Sequence, residues 1–183
     1  MGDPALDPLM KVLNERGAVI ISHPHKPSAV NKELTSVVPL ASYEYLAETS
    51  RAVLNMVGHN ITVRFPKLKI VVPHCGSFLP LAVPRMQSLM PVMNNVGYLK
   101  GVDIAKNLEA FYYDLAGAAT PETIRELLTI TTPDHLLYGT DYPYVAEPVL
   151  IKNLSILKKN LQEIVPQNVE QVLYKNAQSL FGE

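Results

Sequence analysis

Ala18-Val19-Ile20-Ile21-Ser22-His23-Pro24 and, further on, Lys69-Ile70-Val71-Val72-Pro73-His74 follow one plan: a compact apolar, β-branched run that stops at a histidine beside a proline. Runs of this kind lack both the alternation of a half-solvated strand and the length of a helix. They are the pattern of strands buried on both faces. Ala110-Phe111-Tyr112-Tyr113-Asp114-Leu115 is a third strand candidate, and Leu136-Leu137-Tyr138 a short fourth that runs into Gly139-Thr140-Asp141-Tyr142-Pro143. Helical stretches separate all four. Alternating buried strands and helices argue for an α/β fold with a parallel sheet and crossover helices. In such folds ligands gather at the carboxyl ends of the strands. Three of the four strand ends carry His23, His74 and Asp141. Taken alone, each is more often a structural histidine or a turn; their convergence on one rim favours a site.

The helices between the strands are marked by their ends. Asp7-Pro8 reads as an N-cap and first helical residue of a helix closed by Gly17, and Tyr45, Leu46, Thr49, Ala52, Val53 and Met56 form one stripe of a long helix ending near Gly58. A polar, proline-bearing loop from His25 to about Pro39 precedes that helix. From Phe78 to Met93, apolar residues alternate with Pro80, Pro84 and Pro91, which predicts a kinked helix. Thr120-Pro121-Glu122 is a cap, a first-position proline and a first-turn acid for a helix over 121–131, and two terminal helices follow near 147–160 and 168–181.

Composition narrows the function classes. Of 183 residues 48% are hydrophobic, enough for one sizeable core, and the expectation is a single domain over 1–183. Sixteen basic against seventeen acidic residues leave a net charge of −1, so no whole-chain field exists to recruit nucleic acid or an anionic membrane. Cys75 is the single cysteine, which rules out an internal disulfide and a multi-cysteine zinc site and suits a reducing compartment. The first residues lack the basic and apolar regions of a signal peptide, and no stretch approaches the roughly 18 apolar residues of a membrane span. A cytoplasmic location is expected.

Imidazole nitrogen and carboxylate oxygen are the usual non-thiolate ligands of zinc and similar ions. His23 and Asp141 suit that role, while His74, lying between them in strand order, suits proton transfer. His59 closes a helix and His135 opens a strand, so both read as structural. Tyr112, Tyr113, Tyr142 and Tyr144 can line a pocket for an aromatic acid or complete a core or interface. Met86, Met90 and Met93 sit at helical spacing and read as core or subunit-contact residues.

GDPALDPLMKVLNERGAVIISHP over 2–24, IVVPHCGSFLPLAVPRM over 70–86, LLYGTDYP over 136–143 and VLYKNAQSLFG over 172–182 together resemble the C-terminal portion of the amidohydrolase-related (amidohydrolase 2) family. That group includes the aminocarboxymuconate-semialdehyde, γ-resorcylate and 6-methylsalicylate decarboxylases. The resemblance implies a TIM-type (β/α)8 barrel, here partial, with about four parallel strands corresponding to family strands five to eight. It also implies a divalent metal, zinc first and manganese second, held by His23 and Asp141, with Asp141 counted among the catalytic groups as well. His74 matches the family's acid-base histidine, although the motif reads HCGSF, so Cys75 replaces the commoner glycine and adds bulk. Arg85, eleven positions after His74, matches an arginine that some members offer across a dimer interface to the substrate carboxylate. Guanidinium suits that contact, and an arginine among apolar helix residues can equally snorkel to solvent.

The family also carries a His-x-His pair on its first strand, and a full barrel takes ~250 residues. This chain has neither, so truncation is expected. Reading His23-Pro24-His25 as the missing pair fails, because the stretch before it matches the approach to the family's fifth strand; His25 is then a loop residue. The expected function is metal-dependent, non-oxidative decarboxylation of an aromatic or conjugated carboxylic acid. Hydrolysis of a lactone or related bond on the same scaffold is the alternative, as is a catalytically inactive fragment acting as an interaction module. Expected partners are a small-molecule carboxylic acid and further copies of the chain.

Overall fold

The computed structural model of the chain describes residues 1–27, 33, 37–117 and 119–182. Strands β1 (Val19–Ile21), β2 (Lys69–Val72), β3 (Tyr112–Asp114) and β4 (Leu136–Leu137) form one sheet in the order β1-β2-β3-β4. Every pair is parallel, with Ile20 opposite Ile70, Val72 opposite Tyr113 and Asp114 opposite Leu137. Helix α1 (Asp7–Glu15) leads into β1. Helices α2 (Leu40–Gly58) and α3 (Ile61–Arg64) cross from β1 to β2, α4 (Leu79–Asn95) and α5 (Ile104–Glu109) from β2 to β3, and α6 (Pro121–Leu127) from β3 to β4. After β4 come α7 (Glu147–Ile164) and, beyond a wider turn at Gln171–Lys175, α8 (Asn176–Phe181). The chain is a partial α/β barrel.

Side chains alternate across the sheet, as the strand period requires. Ile70, Val72, Tyr113 and Leu136 face the helices and join the main core with Val53, Met56, Val57, Leu79, Leu108 and Leu161. Val71 and Leu137 point the other way and meet Leu180, with Val19, Tyr112 and Ala177 packed around them. Helix α8 thus covers part of the opposite face. Among the described residues no helix is long and apolar enough to cross a membrane.

The structure departs from the sequence reading in several places. β1 was expected to be buried on both faces, yet Ile21 is 65% exposed. It lies on the strand at the end of the sheet, where one flank has no neighbouring strand among the described residues. Asp7 is the first helical residue rather than the cap: a tight turn at Pro4–Leu6 precedes α1, Asp3 accepts a hydrogen bond from the Ala5 N–H, and the Asp7 carboxylate pairs with Arg64. Helix α4 carries Pro84 and Pro91 inside it, both on its exposed side, where water can meet the carbonyls they leave unbonded. The loop expected from His25 to Pro39 falls largely outside the described residues.

One polar group ties the last helix to the sheet. Asn176 is 3% exposed, and its side-chain NH2 donates to the carbonyls of Pro133 and Leu136, each at 2.8 Å. This gives the asparagine of NAQSLFG a structural reason. Without it, two carbonyls beside β4 would lose their donor in a place that water reaches poorly. Asn176→Ala should lower unfolding stability by roughly 2–4 kcal/mol, measured by urea denaturation, whereas the exposed Gln178→Ala should change it little.

Candidate metal centre

The carboxyl ends of β1, β2 and β4 meet at one rim. Past β1, Ser22 donates through both its N–H and its hydroxyl to the carbonyl of Val71, at 3.0 and 2.7 Å, which carries the chain along the sheet for one more residue before His23. The His23 Nδ1 lies 2.8 Å from the carbonyl oxygen of Pro24. A carbonyl only accepts, so Nδ1 is the donor of this bond, and in the neutral ring the lone pair is on Nε2. Past β2, His74, Cys75, Gly76 and Ser77 all have positive φ (58°, 53°, 72° and 56°), and the Ser77 N–H donates to the His74 carbonyl at 2.8 Å. A side chain at Gly76 would come within 3.0 Å of Leu127 and 3.3 Å of the Tyr113 ring, so this turn needs glycine there for room as well as for conformation. Past β4, Asp141 also has positive φ, 59°.

These turns bring three side chains together. His23, His74 and Asp141 each offer a ligand atom, and the atoms lie within 4.8 Å of one another. The two imidazoles meet edge to face with ring centroids 5.5 Å apart. His23 is exposed; His74 and Asp141 are half-buried. The His74 Nδ1 is buried and has no hydrogen-bond partner among the described residues. A buried ring nitrogen left unsatisfied is costly, and a bound ion or a polar substrate group would satisfy the site. Two imidazoles and a carboxylate are also a donor set that suits a divalent transition ion, so the residues fit a metal.

A fourth strand end, overlooked in the sequence, adds another carboxylate. Asp114 closes β3, and its Oδ1 accepts from the backbone N–H groups of His74 at 2.9 Å and Ala116 at 3.0 Å. Burial holds its carboxyl above the usual range, with the nearby Asp141 charge adding to the shift, although the two backbone bonds and His74 work against it. In the sequence it stands inside an apolar run, with Leu115 after it, whereas His23 and His74 follow theirs, so the end-of-run signal that singled out the histidines did not mark it.

Beside the three ligand atoms opens a cleft of about 850 Å³, lined mostly by apolar surface, with Leu46, Pro80 and Ala116 among its walls. Cys75 lines it too; burial first, then the Asp114 charge, push its thiol up to about 12. His25 and Tyr144 reach the same cleft and are exposed, whereas Arg85 is exposed on α4 and is not part of the lining. The remaining sequence candidates lie elsewhere. His59 bonds the Asn55 carbonyl at 2.8 Å; His135 bonds the Phe111 carbonyl at 3.1 Å and stacks on Tyr112. Tyr113 is fully buried, its hydroxyl donating to the Leu108 carbonyl at 2.8 Å.

Comparisons with known proteins bear on the family and the fold. The model of the family described as amidohydrolase matches residues 2–182. A 6-methylsalicylic acid decarboxylase of Penicillium expansum is 28% identical over 159 residues, which are 86% of this chain and 48% of that protein. Among solved structures, an amidohydrolase II superposes with a TM-score of 0.86 at 26% identity, over 100% of this chain and 57% of the other. A dihydroxybenzoic acid decarboxylase from Polaromonas sp. JS666, solved with bound manganese and the inhibitor 2-nitroresorcinol, superposes with a TM-score of 0.83 at 19% identity, over 99% of this chain and 55% of that one. The likeness to that last structure is one of fold. The chain spans about half the length of the curated 6-methylsalicylic acid decarboxylases it matches, 48% and 56%.

Two measurements probe the centre. In titrations with manganese or zinc, Asp141→Ala should lower bound metal well below the parent level while His135→Ala leaves it unchanged; equal losses would remove Asp141 from the ligand set. The thiol supplies the second. Because folded Cys75 keeps its proton to higher pH than an unfolded thiol, stability linked to it is intact below the ordinary thiol range and is lost as pH rises towards about 12. Iodoacetamide at about pH 8.5 should therefore alkylate the native chain roughly a hundredfold or more slowly than the urea-unfolded chain.

Proposed function

The chain belongs to the amidohydrolase family, and from that premise we propose that it carries the C-terminal half of the active site of a metal-dependent, non-oxidative decarboxylase. Its substrate is an aromatic or conjugated carboxylic acid. The observation that carries the proposal is the convergence of His23, His74 and Asp141 within 4.8 Å at the mouth of a largely apolar cleft. An apolar wall suits a flat conjugated ring, and the polar rim suits its oxygens. Relatives support the same chemistry, since they include decarboxylases of 6-methylsalicylic and dihydroxybenzoic acids.

In this reading His23 and Asp141 hold the ion, with His23 presenting Nε2. When bound, a divalent ion supplies positive charge that draws the substrate oxygens and stabilises negative charge in the transition state. Manganese has support from the Polaromonas structure, which contains it, and zinc from the donor set. His74 handles the proton. As the bond from the ring carbon to the carboxylate breaks, carbon dioxide leaves and the electron pair stays on the carbon, which then takes a proton from the imidazolium. Apolar walls keep competing water from that carbon. Arg85, exposed on α4 away from its own cleft, is assigned to the substrate carboxylate of a second copy, in keeping with a homo-oligomer. The chain acts as one domain, and its buried thiol suits the cytoplasm.

Catalytic zinc sites take three protein ligands, and this reading supplies two. Carbon dioxide release from hydroxybenzoate-like and muconate-like acids, with zinc or manganese added, should therefore be slight for the 183-residue chain alone. Adding the N-terminal half of a relative, with its His-x-His strand, should raise it. Robust, chelator-sensitive turnover by the chain alone would overturn the two-ligand assignment and promote His74 or His25 to the third position. No release in either arm, with metal bound, would overturn the lyase reading.

A further inference from the structure

We infer that Asp114 is a positioning residue of this site: its carboxylate oxygen fixes the turn that presents His74 and the strand end that presents Asp141. The inference rests on the reading of His74 as the proton-handling group, and it concerns a side chain that need not touch metal or substrate.

Three observations converge on Asp114. Its Oδ1 accepts two backbone hydrogen bonds at once, from His74 at 2.9 Å and from Ala116 at 3.0 Å. The first reaches 40 residues back to β2; the second closes the turn that ends β3. Next, His74 opens a run in which Cys75 and Ser77 also hold positive φ, a conformation that residues with a side chain adopt only at a cost. Such a run persists only where its surroundings over-determine it, and the Asp114 oxygen is the acceptor for its first N–H. Finally, a side chain added at Gly139 would stand 3.1 Å from the Asp114 Cβ and 3.2 Å from its Cγ. The glycine that opens Gly139-Thr140-Asp141 is therefore the surface against which Asp114 lies. Among the described residues no lysine or arginine forms an ion pair with it.

The pattern distinguishes an acceptor from a charge. Both bonds fall on one oxygen, so the amide oxygen of asparagine can take them, while glutamate carries the same charge but moves it a methylene further out. Asp114→Asn should preserve the turn, and Asp114→Glu should not. Gly139→Ala, which pushes on Asp114 from the segment just past β4, should resemble Asp114→Ala in its effect on His74 although it lies in a different part of the chain.

The test is the nuclear Overhauser contact between the His23 and His74 rings in the metal-free 183-residue chain, assigned with His74→Gln, followed by manganese titration of each variant. We expect the ring contact in the parent and in Asp114→Asn, and its loss in Asp114→Ala, Asp114→Glu and Gly139→Ala. Manganese affinity should fall about tenfold or more where the contact is lost and stay at the parent level in Asp114→Asn, the scale seen when partners of metal ligands are removed. A retained contact in Asp114→Ala overturns the inference, as does retention in Asp114→Glu with loss in Asp114→Asn, which would make charge the agent. If Asp114→Ala does not fold, the Asn and Glu variants decide between them. A parent that binds no manganese would sink the metal reading alone, because the ring contact is read without metal.

Discussion

Parallel pairing of four short strands is the constraint on which everything else depends. Because β1 to β4 run the same way and pair in the order β1-β2-β3-β4, their carboxyl ends must share one rim. The strands are so short that the chemistry begins almost where the pairing stops. His23 and His74 each lie two positions past the last paired residue of their strand, Asp114 is itself a paired residue, and Asp141 is four positions past Leu137. With so little intervening chain, the distance between site groups inherits the spacing of neighbouring strands. Helices on one face then hold the sheet through Ile70, Val72, Tyr113 and Leu136, so rim geometry and core packing are coupled within single strands.

That coupling explains which features were legible beforehand. Strand existence could be read because Val19–Ile21 and Lys69–Val72 are apolar and β-branched, a local property. The convergence of His23, His74 and Asp141 followed from parallel topology plus position, with no side-chain detail required. What depended on a neighbour was illegible. The exposure of Ile21 reflects the edge position of β1, and the place of Asp7 reflects Arg64, more than fifty residues away. Asp114 is the instructive miss: inside the run over 110–115 it read as part of a strand, because its partners, the His74 amide and Gly139, come from the turns past two other strands. The role of Asn176 escaped for the same reason.

The rim is also where the backbone is least comfortable. Asp141 and three of the four residues over 74–77 are non-glycine residues at positive φ, where glycine is the ordinary choice. Cys75 occupies such a position while lining the cleft, and its thiol stays protonated in a buried setting. A protonated, buried thiol is neither nucleophile nor metal ligand. Its contribution is therefore volume: a sulfur against the Ala116 carbonyl at 3.8 Å, narrowing the cleft beside His74 where a glycine would leave space.

Order in the site is uneven, and the unevenness has a direction. His74, Asp114 and Asp141 belong to β2, β3 and β4, where backbone bonds cross between strand ends and the side chains are half-buried. His23 belongs to β1, is exposed, and is held by a bond to the residue after it. Apolar surface is turned to solvent along the edge strand and the helix that leads into it: Ile21 on β1, and Leu6, Leu9 and Val12 on or just before α1, are 65%, 40%, 55% and 45% exposed. Helix α1 buries Met10 and packs Leu13 on the core, while among the described residues Leu9 and Val12 are left to solvent, and β1, which follows it, is an edge strand with unpaired backbone. Covering that side would remove apolar area from water, pair the edge of β1, and restrict the His23 side chain in one step. In the proposed metal centre, affinity would then be tied to packing at a distance, because the entropy lost in ordering His23 would already have been met by the contacts that cover β1 rather than by the ion.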